Sequence, residues 1–323
     1  MARAAYSCCG RISARNLPQA AQVSLPRANC VIVCPSVRMG ICFPPFLFMP
    51  VMDLETKPAA PSPPATAALP FTAWTWGVPL FALSAIALLL ATGGNVALFE
   101  WLNRFMAQAG DTWWSHLTVL GDTSLALMFL LPLLGRRPDL AWQFVLAAVF
   151  ASFWSHGMKA LFSSLRPPAV LPEGSFHLIG PMFEHNSFPS GHTTTIFVLA
   201  GLVCVQQLSD RLKLLMLLLA LLVGLSRIAC GVHWPLDVLG GMFGGWLSAL
   251  AGVWLGRRWQ AGLNIGFQRV LAVLFTLLAF WVVLYYDNGF PGTWWLQFAV
   301  SAACLGWSLK GQYRLFNLGS RWI

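Results

Sequence analysis

The feature that most constrains the fold of this chain is a succession of long apolar segments joined by short polar connections. Each segment is close to the ~20 residues that an α-helix needs to cross a lipid bilayer. They cover residues 74–92, 116–134, 140–161, 192–208, 212–230, 235–255, 267–286 and 294–310. Only 10% of the residues are charged, whereas a soluble domain carries about 25%. The sequence therefore predicts an all-α fold, a polytopic bundle of transmembrane helices.

The chain before the first apolar segment divides into two parts. Residues 1–52 mix five arginines with apolar residues and contain no acidic residue. This pattern fits neither a signal peptide nor a folded domain. We predict a disordered or targeting segment, or upstream sequence that is not translated, with Met52 as the start. Residues 53–70 are rich in proline and alanine and are predicted to form a flexible linker.

Basic residues predict the orientation of the helices. They follow the second, fourth, sixth and eighth apolar segments: Arg136, Arg137, Arg211, Lys213, Arg257, Arg258, Arg269, Lys310, Arg314 and Arg321. Under the positive-inside rule these ends of the helices face the cytoplasm. Lys159, Arg166 and Arg227 fall on the opposite side, where this rule does not place cations. We therefore predict that these three residues bind an anionic ligand.

Three stretches on that opposite side combine into a predicted oxyanion site: KALFSSLRP (159–167), FPSGHTTT (188–195) and SRIACGVHWPLD (226–237). The guanidinium fork of arginine and the point charge of lysine both suit phosphate oxygens. Ser190 and Gly191 stand at the predicted start of a helix, where free backbone N–H groups and the helix dipole attract an anion. The predicted binding residues are Lys159, Arg166, Ser190, Gly191 and Arg227.

Two histidines and an aspartate could supply the chemistry at this site. His233 and Asp237 are four residues apart, so the carboxylate can hold one ring nitrogen and leave the other as a nucleophile. His192 can then protonate the leaving oxygen as a general acid. The predicted catalytic residues are His233, His192 and Asp237.

The three stretches together resemble the signature of the type 2 phosphatidic acid phosphatase family. The matching pattern is Lys, six residues, Arg-Pro; then Pro-Ser-Gly-His; then Ser-Arg, five residues, His, three residues, Asp, in that order over residues 159–237. The likeness in general layout extends over roughly residues 95–256. It implies a six-helix phosphatase core at residues 71–256. The last two apolar segments lie beyond this core, so residues 257–323 are predicted to form two additional transmembrane helices and a basic cytoplasmic tail.

The resemblance also implies an activity. The chain would be an integral-membrane hydrolase that removes phosphate or pyrophosphate from a lipid at the outer face of a bacterial cytoplasmic membrane. His233 would form a phosphohistidine intermediate, and no metal ion or other cofactor would take part. The substrate would be a membrane lipid such as phosphatidic acid, phosphatidylglycerol phosphate, undecaprenyl pyrophosphate or a lipid A phosphate. No nucleic acid partner is expected.

Two other functions remain open at the level of sequence. The same site could transfer the phosphate to an acceptor other than water, which would make the protein a lipid phosphotransferase. Alternatively, the cations could serve a phospholipid-binding or transport protein without catalysis. Neither the lipid nor the role of the last two helices can be predicted from the residues.

An aromatic group near the seventh and eighth segments has a simple structural interpretation. It consists of Tyr285, Tyr286, Phe290, Trp294 and Trp295. Tyrosine and tryptophan are enriched at the membrane–water interface, so these side chains are predicted to form an interfacial belt.

Overall fold

A computed structural model describes residues 71–317. The segments predicted at residues 1–52 and 53–70, and the end of the tail after residue 317, lie outside the described residues. Within residues 71–317 the regular structure is entirely helical. Its α-helices are Ala73–Thr92 (α1), Asn95–Met106 (α2), Asp111–Val119 (α3), Thr123–Met128 (α4), Pro138–Phe162 (α5), Pro167–Val170 (α6), Gly191–Cys204 (α7), Asp210–Ala229 (α8), Pro235–Arg258 (α9), Ile265–Leu284 (α10) and Trp294–Asn317 (α11).

The described residues contain five helices that are long and apolar enough to cross a membrane, or six if a bent pair is counted as one span. The five are α1, α5 continued through α6, α8, α9 and α10. The bent pair is α3 with Thr123–Leu133, at an angle of 48°. Each of the eight predicted segments corresponds to a helix or a helix pair. Two of these helices, α7 and α11, are not long and apolar enough to count as membrane spans. The predicted all-helical membrane fold is therefore confirmed, with fewer full-length spans than expected.

The two segments that differ do so for physical reasons. The segment at 192–208 forms the 14-residue α7, which is about 21 Å long against a hydrocarbon core of about 30 Å. It ends before Gln206, whose side chain hydrogen-bonds to Gln143 on α5. The helix α11 is longer, at 24 residues, but it carries buried polar side chains at Gln297, Ser301 and Ser308, which lower its hydropathy.

The central helix of the bundle is α9. In its most apolar stretch 67% of the residues are buried, against 17–39% in the other spans, and it packs against α1, α5 and α7. Glycines allow this close approach. A Cβ atom at Gly241 would lie 2.7 Å from the Ser190 carbonyl oxygen, and one at Gly252 would lie 2.6 Å from the Ala147 nitrogen. Small residues let neighbouring helix backbones come together in this way.

The helix is interrupted between α3 and α4, close to the start of α7. Asp122 caps α4 because its Oδ1 accepts hydrogen bonds from the backbone N–H of Ser124, at 2.8 Å, and of Leu125. A Cβ atom at Gly121 would lie 2.6 Å from Val223 and 3.0 Å from the His192 carbonyl oxygen. The break therefore brings the α3–α4 junction against the residues that open α7.

The amphipathic helix α2 is an element that hydropathy does not predict, and it ties one end of the bundle together. Asn103 is 1% exposed. Its Nδ2 donates to the carbonyl oxygens of His177, at 2.9 Å, and of Ile228, at 3.0 Å, while its Oδ1 accepts from the His177 N–H at 2.8 Å. This single side chain joins α2, the end of α8 and the long connection between α6 and α7.

The last two helices, α10 and α11, form a hairpin. They pack against each other and against α4, and α11 also packs against the short turn Leu131–Leu133. The contact with that turn is close, since a Cβ atom at Gly311 would lie 2.5 Å from the Leu134 carbonyl oxygen. The hairpin is thus joined to the predicted core through α4 and the turn that follows it.

Candidate active site

Four of the main helices begin or end at the same end of the bundle, which we call the site end. Here α5 and α8 finish, while α7 and α9 begin. The predicted site residues lie on these ends or on the connections between them: Lys159 in the last turn of α5, Arg166 before α6, Ser190, Gly191 and His192 at the start of α7, Arg227 in the last turn of α8, His233 before α9 and Asp237 in its first turn.

His233 and Asp237 form a buried pair. Their side chains are 2% and 3% exposed, and His233 Nδ1 lies 3.3 Å from Asp237 Oδ2. An ionised carboxylate can only accept a hydrogen bond, so Nδ1 carries the proton and Nε2 keeps a free lone pair. Pro235 is the first residue of α9, so His233 lies just before the helix and Asp237 lies in its first turn. This arrangement brings the two side chains together.

Asp237 has two further hydrogen-bond donors. Ser187 Oγ donates to Oδ2 at 2.5 Å and the backbone N–H of Trp234 donates to the same oxygen at 2.8 Å. Ser187 is fully buried, and its own backbone N–H donates to the Ser164 carbonyl oxygen at 3.0 Å. Sequence reasoning missed Ser187, because only the folded connection between α6 and α7 brings it against α9.

The start of α7 is joined directly to the start of α9. The backbone N–H of Ser190 donates to the Asp237 carbonyl oxygen at 3.0 Å. Ser190 Oγ caps α7 by accepting from the N–H of Thr193 at 3.4 Å and also accepts from its hydroxyl at 3.0 Å. The Ser190 hydroxyl can still donate its own hydrogen to another acceptor. A Cβ atom at Gly191 would lie 3.7 Å from Lys159 Nζ, so the ammonium group lies beside this helix terminus.

Arg166 is held by backbone carbonyl groups. Its Nε donates to the His185 carbonyl oxygen at 2.9 Å and its NH1 donates to the Val232 carbonyl oxygen at 3.3 Å. The guanidinium carbon also lies 5.1 Å from the centre of the Phe183 ring. The bond to Val232 places this cation beside His233, the next residue in the chain.

Arg227 is a buried cation that has no carboxylate partner among residues 71–317. Its side chain is 2% exposed; one NH1 bond goes to the hydroxyl of Thr118, and its Nε has no hydrogen-bond partner. A buried charge is costly unless it is paired. An anion bound beside this side chain would offset that cost.

The cations act on the nucleophile candidate. Burial first, and then the positive charges of Arg166, Arg227 and Lys159, hold the pKa of His233 well below its ordinary value. His233 is therefore the neutral imidazole at neutral pH, with the lone pair on Nε2 that nucleophilic attack requires.

A mainly apolar groove of about 240 Å³ extends from the site between α4, α5 and α7. Near the site it is lined by Ser155, His156 and Gly191, and further along by Ala148, Phe144 and other apolar residues. No group of three His, Cys, Asp or Glu side chains in the part of the chain that the structure describes could hold a metal ion.

The fold and the site together define a class of protein. It is an all-helical membrane bundle in which a buried histidine–aspartate pair is surrounded by cations. Within it, the sequence model of the PAP2 superfamily matches residues 140–261, a range that contains all three motifs. The chain is also 32% identical over 168 residues to the undecaprenyl-diphosphatase of Sulfolobus acidocaldarius, covering 49% of this chain and 77% of that protein. The chain belongs to the PAP2 superfamily, and the family predicted from the motifs is confirmed.

Two other relatives are matched over shorter regions. The bacitracin transport permease protein BcrC of Bacillus licheniformis is 40% identical over 113 residues, which are 34% of this chain and 52% of that protein. The lipid A 1-phosphatase of Rhizobium etli is 32% identical over 109 residues, which are 32% of this chain and 46% of that protein. The chain therefore spans only about half of the length of each of these two relatives.

Proposed function

We propose that this protein is a membrane lipid phosphatase that works through a phosphohistidine intermediate. The observation that carries the proposal is the buried pair of His233 and Asp237, which lies 3.3 Å apart and is surrounded by Lys159, Arg166 and Arg227. Nε2 of His233 attacks the phosphorus atom, and the bond to the leaving oxygen breaks. Asp237 keeps the proton on Nδ1 and stabilises the positive ring that forms.

The remaining predicted residues have complementary roles in this proposal. The three cations bind the phosphate oxygens and stabilise the charge that develops in the transition state. The Ser190 hydroxyl and the N–H groups that open α7 add donors for the same oxygens. Burial and the neighbouring cations lower the pKa of His192, and the negative charge of a bound phosphate offsets this effect, so that His192 binds a second proton. His192 gives that proton to the leaving oxygen and later takes one from the water that attacks phosphorus as the bond to His233 breaks. No metal step is proposed, since three positive charges repel a divalent cation.

The groove beside the site supports a lipid rather than a soluble phosphate ester as substrate. Its walls are mainly apolar, and it begins at Gly191, next to the proposed phosphate-binding residues. A polar headgroup can therefore occupy the site while an acyl or prenyl chain lies between α4, α5 and α7. The relatives named as an undecaprenyl-diphosphatase and a lipid A 1-phosphatase support phosphorylated membrane lipids as the substrate class.

We also propose that the site faces the outer side of the cytoplasmic membrane. The basic residues near the start of α5, the start of α8 and the end of α9 lie at the end of these helices opposite the site. The positive-inside rule assigns that opposite end to the cytoplasm.

The test is phosphate release from a panel of phosphorylated lipids by the purified protein in the presence of a chelator. We expect His233→Ala to lower kcat by about 10³-fold or more, because no second nucleophile is proposed. Acid-labile radioactive phosphate should label the wild-type protein and not this variant. His116→Ala serves as the control, since His116 only hydrogen-bonds within α3 and packs on Trp295.

The outcomes separate the alternatives. Unchanged activity of His233→Ala would show that the mechanism is wrong. A phosphorylated lipid product in place of free phosphate would identify a phosphotransferase. Binding of lipids without turnover by the wild-type protein would favour the non-catalytic function.

A further inference from the structure

The connection between α10 and α11, residues 285–293, lies at the site end although it follows the region matched by the family. The aromatic residues around it do not share one environment. Tyr285 and Trp294 are 77% and 73% exposed, as an interfacial belt requires, but Phe290 is only 6% exposed. Phe290 is therefore part of the protein interior, and the predicted belt is wrong for this residue.

Phe290 packs on the walls of the site. It belongs to a buried cluster with Ile179, Cys230 and Val232, and the last two lie in the short connection that also carries His233. The fit is close, because a Cβ atom at Gly180 would lie 2.6 Å from the Phe290 ring. Gly180 has a φ of 81°, which glycine adopts without strain.

The Phe290 ring also lies against Arg227. The guanidinium carbon is 5.8 Å from the ring centre, within the range of a cation–π contact. Arg227 NH1 also donates to the hydroxyl of Thr118 on α3. Arg227 is therefore fixed by one residue of the core and one residue of the hairpin, while its Nε keeps a free donor.

Hydrogen bonds within the connection and to the core hold the Phe290 ring in place. The N–H of Phe290 donates to Asn288 Oδ1 at 2.7 Å, and Thr293 Oγ1 donates to the Phe290 carbonyl oxygen at 2.8 Å. At its other end, the Tyr286 hydroxyl donates to Asp122 Oδ2 at 2.6 Å. Asp122 caps α4 and follows Gly121, which lies close to the His192 backbone, so this hydrogen bond joins the hairpin to the α3–α4 junction beside the start of α7.

We propose that the α10–α11 hairpin completes the phosphate-binding site, with Phe290 as a positioning residue that orients the guanidinium of Arg227 toward the phosphate. The proposal rests on the proposed function only in taking the ligand to be a phosphate group. It assigns a role to two helices that lie outside the predicted six-helix core.

The test is a double-mutant cycle read out by the binding of inorganic phosphate to the full-length protein in nanodiscs. Phe290→Leu removes the aromatic face and keeps an apolar side chain. We expect it to weaken phosphate binding about 3- to 30-fold, the range of a cation–π contact. In the background of Arg227→Met, which removes the cation and keeps a side chain of similar length, Phe290→Leu should cause no further weakening. Phe290→Tyr keeps the ring face and should bind phosphate like the wild type.

The control for general packing is Leu315→Ala, at the far end of α11 about 30 Å away. Leu315 is also buried, so its loss should lower the Tm without weakening phosphate binding. If Phe290→Leu lowers the Tm too far, Phe290→Met provides the same test with a longer side chain. An equal loss in both Arg227 backgrounds, or unchanged binding in Phe290→Leu, would overturn the proposal. Phosphate binding needs no turnover, so a failure of the phosphatase mechanism in His233→Ala is recognised separately.

Discussion

At the scale of single residues, the site combines motif residues with partners that belong to no motif. The spacing of His233 and Asp237 predicts their contact, and the structure brings them within 3.3 Å. Ser187 and Thr118 hold Asp237 and Arg227 from elsewhere in the chain. Their positions depend on how α3 and the connection after α6 fold, and no spacing rule contains that information.

Ser187 leads to a prediction at this scale. In Ser187→Ala, Asp237 loses a hydrogen bond to its charged form, which is worth about 1.5–3 kcal/mol. Because the proposed role of Asp237 is to orient His233, we expect kcat to fall about 10- to 100-fold while KM changes little. The measurement is steady-state kinetics on the best lipid of the panel.

The matched control is Ser209→Ala. Ser209 Oγ accepts from the N–H of Leu212 at the start of α8, at the end of the bundle away from the site. It should lower the Tm slightly and leave kcat unchanged. A Ser187→Ala protein with wild-type kcat would contradict the positioning role of Ser187.

At the scale of elements, α9 organises the site because its glycine face admits α5 and α7. The prediction concerns Gly245, where a Cβ atom would contact the Thr194 carbonyl oxygen and lie 3.1 Å from Phe197 Cβ. Gly245→Ala forces α7 away from α9, and overpacking of this kind costs about 1–3 kcal/mol. We expect a lower Tm and lower activity, because α7 carries Ser190 and His192 while α9 carries Asp237.

The control for this substitution is Gly306→Ala on α11. A Cβ atom at Gly306 meets nothing within 4 Å, so this change only removes a helix-destabilising residue. Its Tm, measured by thermal unfolding in the same detergent, should equal or exceed that of the wild type. Equal Tm and activity in Gly245→Ala and the wild type would show that the α7–α9 contact is more adaptable than proposed.

Hydropathy located every main helix but not the exact form of each. The apolar segment at 116–134 contains a 48° bend near Gly121, where Val223 and the His192 backbone lie so close that a Cβ atom would not fit. Hydropathy did not predict the helix α2, because this helix is amphipathic rather than uniformly apolar. Its importance comes from Asn103, whose partners lie 74 and 125 residues away in the chain.

At the scale of the whole molecule, the groove between α4, α5 and α7 is the proposed site of the lipid chain of the substrate. Ala148→Phe would fill the apolar part of this groove, because Ala148 lines it. We expect activity on a long-chain lipid phosphate to fall about 10-fold, as one aromatic ring excludes a chain segment worth about 1.4 kcal/mol or more. Activity on a short water-soluble phosphate ester should remain unchanged.

Val149→Phe is the matched control for the groove. Val149 is the next residue on α5, is 46% exposed and does not line the cavity, so both activities should stay at wild-type levels. Equal losses on the lipid and on the soluble ester in Ala148→Phe would argue against the groove as the site of the lipid chain.

The sequence by itself determined the helical membrane fold, the family and the residues expected to do the chemistry. It could do so because membrane helices must be long and apolar, and because His233 and Asp237 lie within one helical turn of each other. Only the tertiary structure decided what surrounds those residues. Several contacts join parts of the chain that are distant in sequence. They are those of Ser187 with Asp237, of Thr118 and Phe290 with Arg227, and of Tyr286 with Asp122. They arise from the packing of glycine-rich α9 and of the α10–α11 hairpin, and packing between distant segments leaves no periodic pattern in the residues.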